Sequence, residues 1–307
     1  MQRPASARPD ARVHDQPLHG ITEHRGPQGP DVRSSIIIPS WNNLPYLRAC
    51  VEAIRQHSTF RHEIIVHVND GGDGTLAWVR AEGLSFTHSA DNVGVCHALN
   101  AAAALATTPY IVFMNDDMIV LPDWDAQLWA VIDELDHDRW FLSATMIEPR
   151  ATGNPCVVVA DYGDTPERLR RDDLLRDLPR LRRDDWSGAT WPPNVVPRSL
   201  WEAVGGYSVE FSPGFGSDPD FSMKLWQHGV RLFLGVGSSL AYHFQARSTG
   251  RVVRNDGPAT FLKKWGVTVG TFNRHFLRRG EAYRGPLTEP SGLHYAFDRL
   301  RSSLKRR

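Results

Sequence analysis

Between residues 34 and 146, short β-branched runs alternate with helix-period stretches, and most of the runs stop at polar or acidic clusters. The first run, Ser34-Ser35-Ile36-Ile37-Ile38, reads as a buried strand ended by Pro39. Asn43 and Pro45 then open a helix with Leu44, Leu47, Val51 and Ile54 on one face. Residues 63–68 form a second strand, running into the turn Asn69-Asp70-Gly71-Gly72-Asp73-Gly74. The pattern continues with a short helix over 76–82, a strand over 84–87 and an Ala-rich helix over 96–105. A strand over 110–114, a helix over 124–135 and a strand over 140–146 complete the series. Such alternation across short loops predicts an α/β fold: a mostly parallel central sheet with helices on both faces.

The flanks read differently. Residues 1–32 are polar, punctuated by Pro and Gly and without periodicity, and are expected to be a disordered tail. The alternation breaks near Pro149, and the Arg/Asp-rich stretch 164–185 reads as an exposed helix or lid with little apolar periodicity. Helix and strand signals return at 198–204, 221–228, 231–236 and 240–244, and two amphipathic helices are expected over 258–277 and 292–304.

Lys+Arg and Asp+Glu balance at 35 each, so no net field draws the chain to nucleic acid or a membrane, although the charge is uneven and the end of the chain is basic. Cys50, Cys96 and Cys156 lack metal-ligand spacing and read as small apolar residues in a reducing compartment. No apolar run approaches the ~20 residues that span a bilayer, and the N-terminus lacks the apolar core of a signal peptide. The cytoplasm is the expected location.

In an open α/β sheet, ligands bind beyond the carboxyl ends of the strands. Those positions here hold Pro39-Ser40-Trp41-Asn42, Asn69-Asp70, Asn115-Asp116-Asp117 and His243. Asn115-Asp116-Asp117 offers hard oxygen ligands of the kind a divalent ion bridging two phosphates requires; a tight turn or a helix cap uses the same residues. Asp218-Pro219-Asp220 reads by itself as a helix N-cap followed by proline, although a carboxylate at such a junction can also take a proton from a hydroxyl. His243 alone is a structural residue more often than a ligand. Trp186 and Trp191 flank Ser187-Gly188-Ala189-Thr190, and flat rings of this kind suit the C–H faces of sugars as well as core packing.

Taken in order, these pieces resemble the family 2 nucleotide-sugar glycosyltransferases, whose fold is called GT-A. The resemblance runs from about residue 34 to 245. Ile36-Ile37-Ile38-Pro39-Ser40-Trp41-Asn42 is similar to the family's nucleotide-contacting first strand, and Val68-Asn69-Asp70-Gly71-Gly72 to its base-holding turn, with Asp70 in the contact position. Asn92-Val93-Gly94, with Ala98 and Asn100, resembles the next donor-side helix, and Asn115-Asp116-Asp117 stands where the family has Asp-x-Asp. The resemblance implies Asp117 as a metal ligand and Asp116 near the ribose and diphosphate. It makes Asp218 the general base of an inverting transfer, and His243 a further ligand for Mn²⁺ or Mg²⁺. Trp186 and Trp191 are expected on the acceptor side, and Asp220 either there or as a support for the helix start. Val204-Gly205-Gly206-Tyr207 resembles the segment before that site. Departures are Asn115 for the first acid of the metal motif, Gly72 for Ser, Ser217 for Glu and Lys224 for Arg.

The implied organisation is a GT-A domain over 33–250, with a nucleotide-binding half at 33–147 and an acceptor-binding half at 148–250, then a helical extension over 251–307 with a basic end. The implied partners are a nucleotide-sugar donor and a glycan, lipid-linked or other hydroxyl acceptor. A non-catalytic sugar-nucleotide-binding scaffold is the alternative, which the presence of Asp70, Asp117 and Asp218 argues against; a retaining transferase on the same fold stays open. A nucleotidyltransferase would carry a Gly-rich basic loop where Pro39-Ser40-Trp41-Asn42-Asn43 stands. Leu293, Phe297, Leu300 and Leu304, at helical spacing in the basic end, offer a peripheral membrane contact, and a solvated helix end explains the same pattern.

Overall fold

The computed structural model describes residues 20–27, 29–246 and 255–306. The strands are β1 (Ile21–His24), β2 (Val32–Trp41), β3 (Arg61–Asn69), β4 (Ser85–Ser89), β5 (Tyr110–Phe113) and β6 (Met118–Val120). They continue with β7 (Trp140–Glu148), β8 (Val158–Val159), β9 (Trp186–Ser187), β10 (Asn194–Pro197) and β11 (Leu232–His243). The helices are α1 (Leu44–His57), α2 (Thr75–Ala81), α3 (Gly94–Ala103), α4 (Trp124–Ile132) and α5 (Arg171–Leu181). They continue with α6 (Arg198–Ala203), α7 (Ser217–Gln227), α8 (Gly257–Trp265), α9 (Val269–Thr271) and α10 (Leu293–Arg306). Among the described residues, all eleven strands join one sheet, in the order β1-β4-β3-β2-β5-β10-β7-β11-β6, with β8 on β7 and β9 on β11.

The β4-β3-β2-β5 segment is parallel throughout, and β7 pairs β11 in parallel. Antiparallel β10 joins these two blocks, so the expected halves share one sheet. Both faces of the sheet are covered. Ile36 and Ile38 join one core cluster with Leu47, Val51 and Ile54 of α1, while Ile37 between them joins the other with Leu99 of α3 and Leu225 of α7. That division follows from the two-residue period of a strand.

Several expectations are corrected. The end of the supposed disordered tail is ordered, because Ile21–His24 pair antiparallel with Phe86–Ser89; residues 1–19 lie outside the described set. Strand β2 runs two residues past Pro39 to Trp41. The neighbouring strand β5 pairs only Ser35–Ile37, so no ladder donor is demanded of Pro39 on that side. The signals at 231–236 and 240–244 belong to a single strand whose register shifts between Val236 and Leu240. The stretch 164–185 does carry an apolar stripe: Leu174 and Leu181 of α5 are buried, with Leu175 and Leu178 packed beside them. All three cysteines are buried and unbridged, and among the described residues no helix is long and apolar enough to cross a membrane.

Candidate active site

The carboxyl ends of the parallel strands carry the polar clusters, and side-chain bonds tie their loops together. Asn42 donates from Nδ2 to Asp70 Oδ2 at 2.7 Å and accepts from the Gly71 amide at 3.0 Å. Both Asn42 and Asp70 hold positive φ, 46° and 63°, which Asn and Asp tolerate better than most residues. Asn43 donates to Asp116 Oδ1 at 3.0 Å, joining the loop after β2 to the loop after β5. Ser40 is buried and Pro39 half-buried along the same edge, with Trp41 beside them.

The turn after β5 is short because β6 starts at once. Its register sets Met118 opposite His243 of β11, so Asp117 comes to lie beside the end of that strand. The Phe244 amide donates to the Asp117 carbonyl at 3.0 Å, and Asp117 Oδ2 accepts from the Ala246 amide at 2.8 Å. Nε2 of His243 sits 3.3 Å from the same oxygen. On its other side, Nδ1 of His243 donates to Glu148 Oε1 at 2.9 Å. Burial opposes ionisation of Asp117, but the charge and hydrogen bond of His243 and the Ala246 amide hold its carboxyl below the usual range. Burial likewise disfavours the His243 cation, and the two flanking carboxylates outweigh that and raise its pKa.

Glu148 is absent from the sequence reading. It stands at the carboxyl end of β7, and the parallel pairing of Ile147 with Tyr242 brings it level with His243. The signal was available: the strand expected to end at 146 continues to Glu148, placing an acid at a strand end.

Among the described residues, no three His, Cys, Asp or Glu side chains are arranged to hold an ion by themselves. An ion bridging a diphosphate needs only one or two protein ligands. Asp117 and His243, with the remote ring nitrogen of His243 held by a carboxylate in the manner of metal-binding imidazoles, fit that requirement.

Asp218 lies in the first turn of α7. Helix α7 begins at Ser217 with Gly216 as its N-cap, in the left-handed conformation at φ 89°, and no side chain makes a cap bond. The N-cap reading of Asp218 is therefore corrected: its Oδ1 instead accepts from the Tyr207 hydroxyl at 3.0 Å. Burial raises the Asp218 carboxyl to about 7, against the lowering pull of that hydrogen bond. Two contacts bring this region to the sheet edge. The Tyr207 ring meets Phe113, three residues before Asp116, with centroids 5.9 Å apart, and the Val95 amide at the start of α3 donates to Pro213 O at 3.0 Å.

Other expected site residues hold the scaffold. Asn100 spends its amide on the Tyr207 backbone, donating to its carbonyl and accepting from its N–H at 2.8 Å each, so it orders the Asp218 partner instead of facing the donor. Asn92 accepts from the Gly94 amide at 2.9 Å and shapes the α3 start. Asp220 is fully buried, its Oδ1 taking Trp265 Nε1 at 2.7 Å and Lys264 Nζ at 2.9 Å, which removes it from the acceptor side. Trp186 is also buried, donates to Thr145 Oγ1 at 2.8 Å and lies flat against Gly235; its ring is core packing. Trp191 is half-buried against the core with the Arg279 guanidinium 5.6 Å from its ring centre.

The Glycosyl transferase family 2 model matches residues 35–148. "Uncharacterized protein y4gI" of Sinorhizobium fredii (strain NBRC 101917 / NGR234) is 26% identical over 250 residues, which cover 75% of this chain and 26% of that protein. The chain thus spans about a quarter of the length of this curated relative. Among solved structures, S. aureus TarS 1-349 in complex with UDP-GlcNAc aligns with a TM-score of 0.56 at 15% identity, over 89% of this chain and 71% of TarS 1-349. GalNAc-T7 with UDP, GalNAc and Mn²⁺ aligns with a TM-score of 0.54 at 15% identity, over 78% of this chain and 48% of GalNAc-T7. At those identities the structural likeness speaks for the fold. Together with the motif-bearing strands β2 to β7, it leads to the conclusion that residues 35–148 are similar to glycosyl transferase family 2 and that the fold is of the GT-A kind.

Proposed function

We propose that the chain moves a sugar from a nucleoside-diphosphate donor to an acceptor hydroxyl with inversion, and that Asp218 is the general base. The observation that carries this reading is a carboxylate with a pKa of about 7, fixed by Tyr207 beside the strand ends that hold Asp70, Asp116 and Asp117. A base is most effective when its pKa lies near the working pH. The acceptor O–H gives its proton to Asp218 as the oxygen bonds to the anomeric carbon, and the bond from that carbon to the diphosphate oxygen breaks on the opposite side. The nucleoside diphosphate leaves.

Asp70 and the Asn42-bonded turn bind the nucleoside, and Asp116, fixed by Asn43, lies toward the ribose and diphosphate. Asp117 and His243 would hold a divalent ion, Mn²⁺ or Mg²⁺, which when bound neutralises charge on the departing diphosphate. Glu148 keeps the His243 ring oriented. TarS was solved with UDP-GlcNAc and GalNAc-T7 with UDP and Mn²⁺, which supports UDP-linked sugars as the first donors to try.

The test is donor turnover with a panel of UDP-sugars and Mn²⁺. Wild-type protein should release UDP, and Asp218→Asn should bind donor with unchanged affinity and release UDP at least about a hundredfold more slowly. Equal turnover by the variant refutes the assignment of the base.

A further inference from the structure

Helix α10 is amphipathic in the inverted sense: its polar side faces the protein and its apolar side faces solvent. Tyr295, Asp298 and Ser302, spaced as one helical face, make the contacts to the body. Asp298 Oδ2 takes His275 Nε2 at 2.9 Å and Arg274 at 3.2 Å; Ser302 Oγ accepts from the Thr268 amide at 3.3 Å and meets Thr271 Oγ1 at 3.2 Å; Tyr295 packs on Phe276. Leu300 and Leu304 each lie two residues from Ser302, about 200° around the helix. With Leu293 and Phe297 they form an outward stripe, exposed by 87% at Leu293, 59% at Phe297 and Leu300, and 62% at Leu304. Val159, at 53%, is the one other exposed large apolar residue among those described. A soluble helix normally turns such a stripe inward.

The charges beside the stripe identify what covers it. The exposed ionisable residues of α10 are His294, Arg299, Arg301, Lys305 and Arg306, all basic, and the Arg301 guanidinium lies 5.7 Å from the Phe297 ring centre. The one acid of the helix, Asp298, is consumed by His275 and Arg274. Two copies meeting helix to helix through this face would bring basic residues of one near basic residues of the other, with the one acid of each helix already paired. Four side chains on one helix are also far short of the ~800 Å² per partner that a stable protein interface buries.

We infer that α10 is a membrane-docking element that lays Leu293, Phe297, Leu300 and Leu304 into the acyl boundary of an anionic bilayer while the flanking Arg and Lys residues meet lipid phosphates. Apolar burial combined with basic flanks is what holds a helix in the interfacial plane. The proposal goes beyond the transfer reaction and depends on none of its catalytic assignments.

The test uses the full chain and vesicles of phosphatidylcholine alone or of equimolar phosphatidylcholine and phosphatidylglycerol. Sedimentation should show binding to the anionic vesicles at least about tenfold tighter than to the neutral ones, weakened by high salt. Phe297→Ser with Leu300→Ser should weaken anionic-vesicle binding at least about tenfold, with thermal unfolding unchanged because both side chains are exposed. Arg299→Glu with Arg301→Glu should abolish the preference for anionic lipid. Absence of binding to the anionic vesicles, or binding indifferent to both double variants, overturns the proposal. So does sedimentation velocity that shows a dimer dissolved by the serine pair, which would make a second copy the occupant.

Discussion

Replacing Asp218 by asparagine should stabilise the protein in alkaline solution while stopping the reaction. The fold raises this carboxyl from 3.8 to about 7. Each tenfold change in proton affinity is worth about 1.4 kcal/mol, so ionising Asp218 in the folded state costs on the order of 4 kcal/mol. Water reaches the carboxyl in part, and a range of about 2 to 4 kcal/mol is the working expectation. Because the folded state holds this proton more tightly, Asp218 carries more proton in the folded than in the unfolded chain between about pH 4 and 7, and its contribution to wild-type stability falls as pH rises through that window. The amide of the Asp218→Asn variant carries no such charge, and its oxygen can take the place of the carboxylate oxygen that accepts from the Tyr207 hydroxyl. Every other group titrates alike in the two proteins and cancels. The difference in unfolding free energy, measured by urea denaturation at a series of pH values, should therefore be near zero at about pH 4 and grow to about 2–4 kcal/mol in favour of the variant by about pH 8. A difference that stays constant with pH, whatever its size, refutes the buried-base argument.

The same pKa sets the pH profile of turnover: kcat/KM should rise about tenfold per pH unit below 7 and level above it, as measured with saturating metal. Asp117→Ala should abolish metal-stimulated transfer. Glu148→Gln should weaken Mn²⁺ binding about 10- to 100-fold by titration calorimetry, leaving metal-free UDP binding unchanged. Gly235→Ala should destabilise by about 3 kcal/mol or more in denaturant, because a Cβ there would meet the Trp186 ring at 1.8 Å. Trp186→Phe should lower stability by about 1–2 kcal/mol through the lost bond to Thr145, while the acceptor KM stays the same; a raised KM would return this ring to the acceptor side.

What could be read without coordinates follows from how local the signal is. The strand ends of β2, β3 and β5 are marked by β-branched runs that stop at Asn, Asp or Pro, and the loops tied by Asn42, Asn43, Asp70 and Asp116 were legible from those stops. The meeting of Asp117 with His243 depends on β6, three residues whose run is too short to register a period, so the motif order suggested the pairing and the antiparallel register of β6 on β11 explains it. Glu148 was lost because a strand ending two residues late moves a side chain from loop to sheet edge. Asn100, Asp220 and Trp186 look equally suited to a ligand or to the scaffold in sequence. Only the tertiary partners Tyr207, Trp265 with Lys264, and Thr145 decide their use. The strand Ile21–His24 was hidden by the Pro- and Gly-rich residues around it, since a four-residue edge strand is defined by its partner more than by its own composition.

The burial of Asp220 has a bearing on the order in which the molecule can be completed. Its helix carries Asp218 just ahead of it, yet its counter-charge Lys264 and the Trp265 indole arrive some forty residues later in the chain. Until that segment is in place, the carboxylate lacks the hydrogen bond and the ion pair that help offset its removal from water, and α7 has reason to stay loosely seated. Helix α8 thus works as a latch on the helix that carries Asp218.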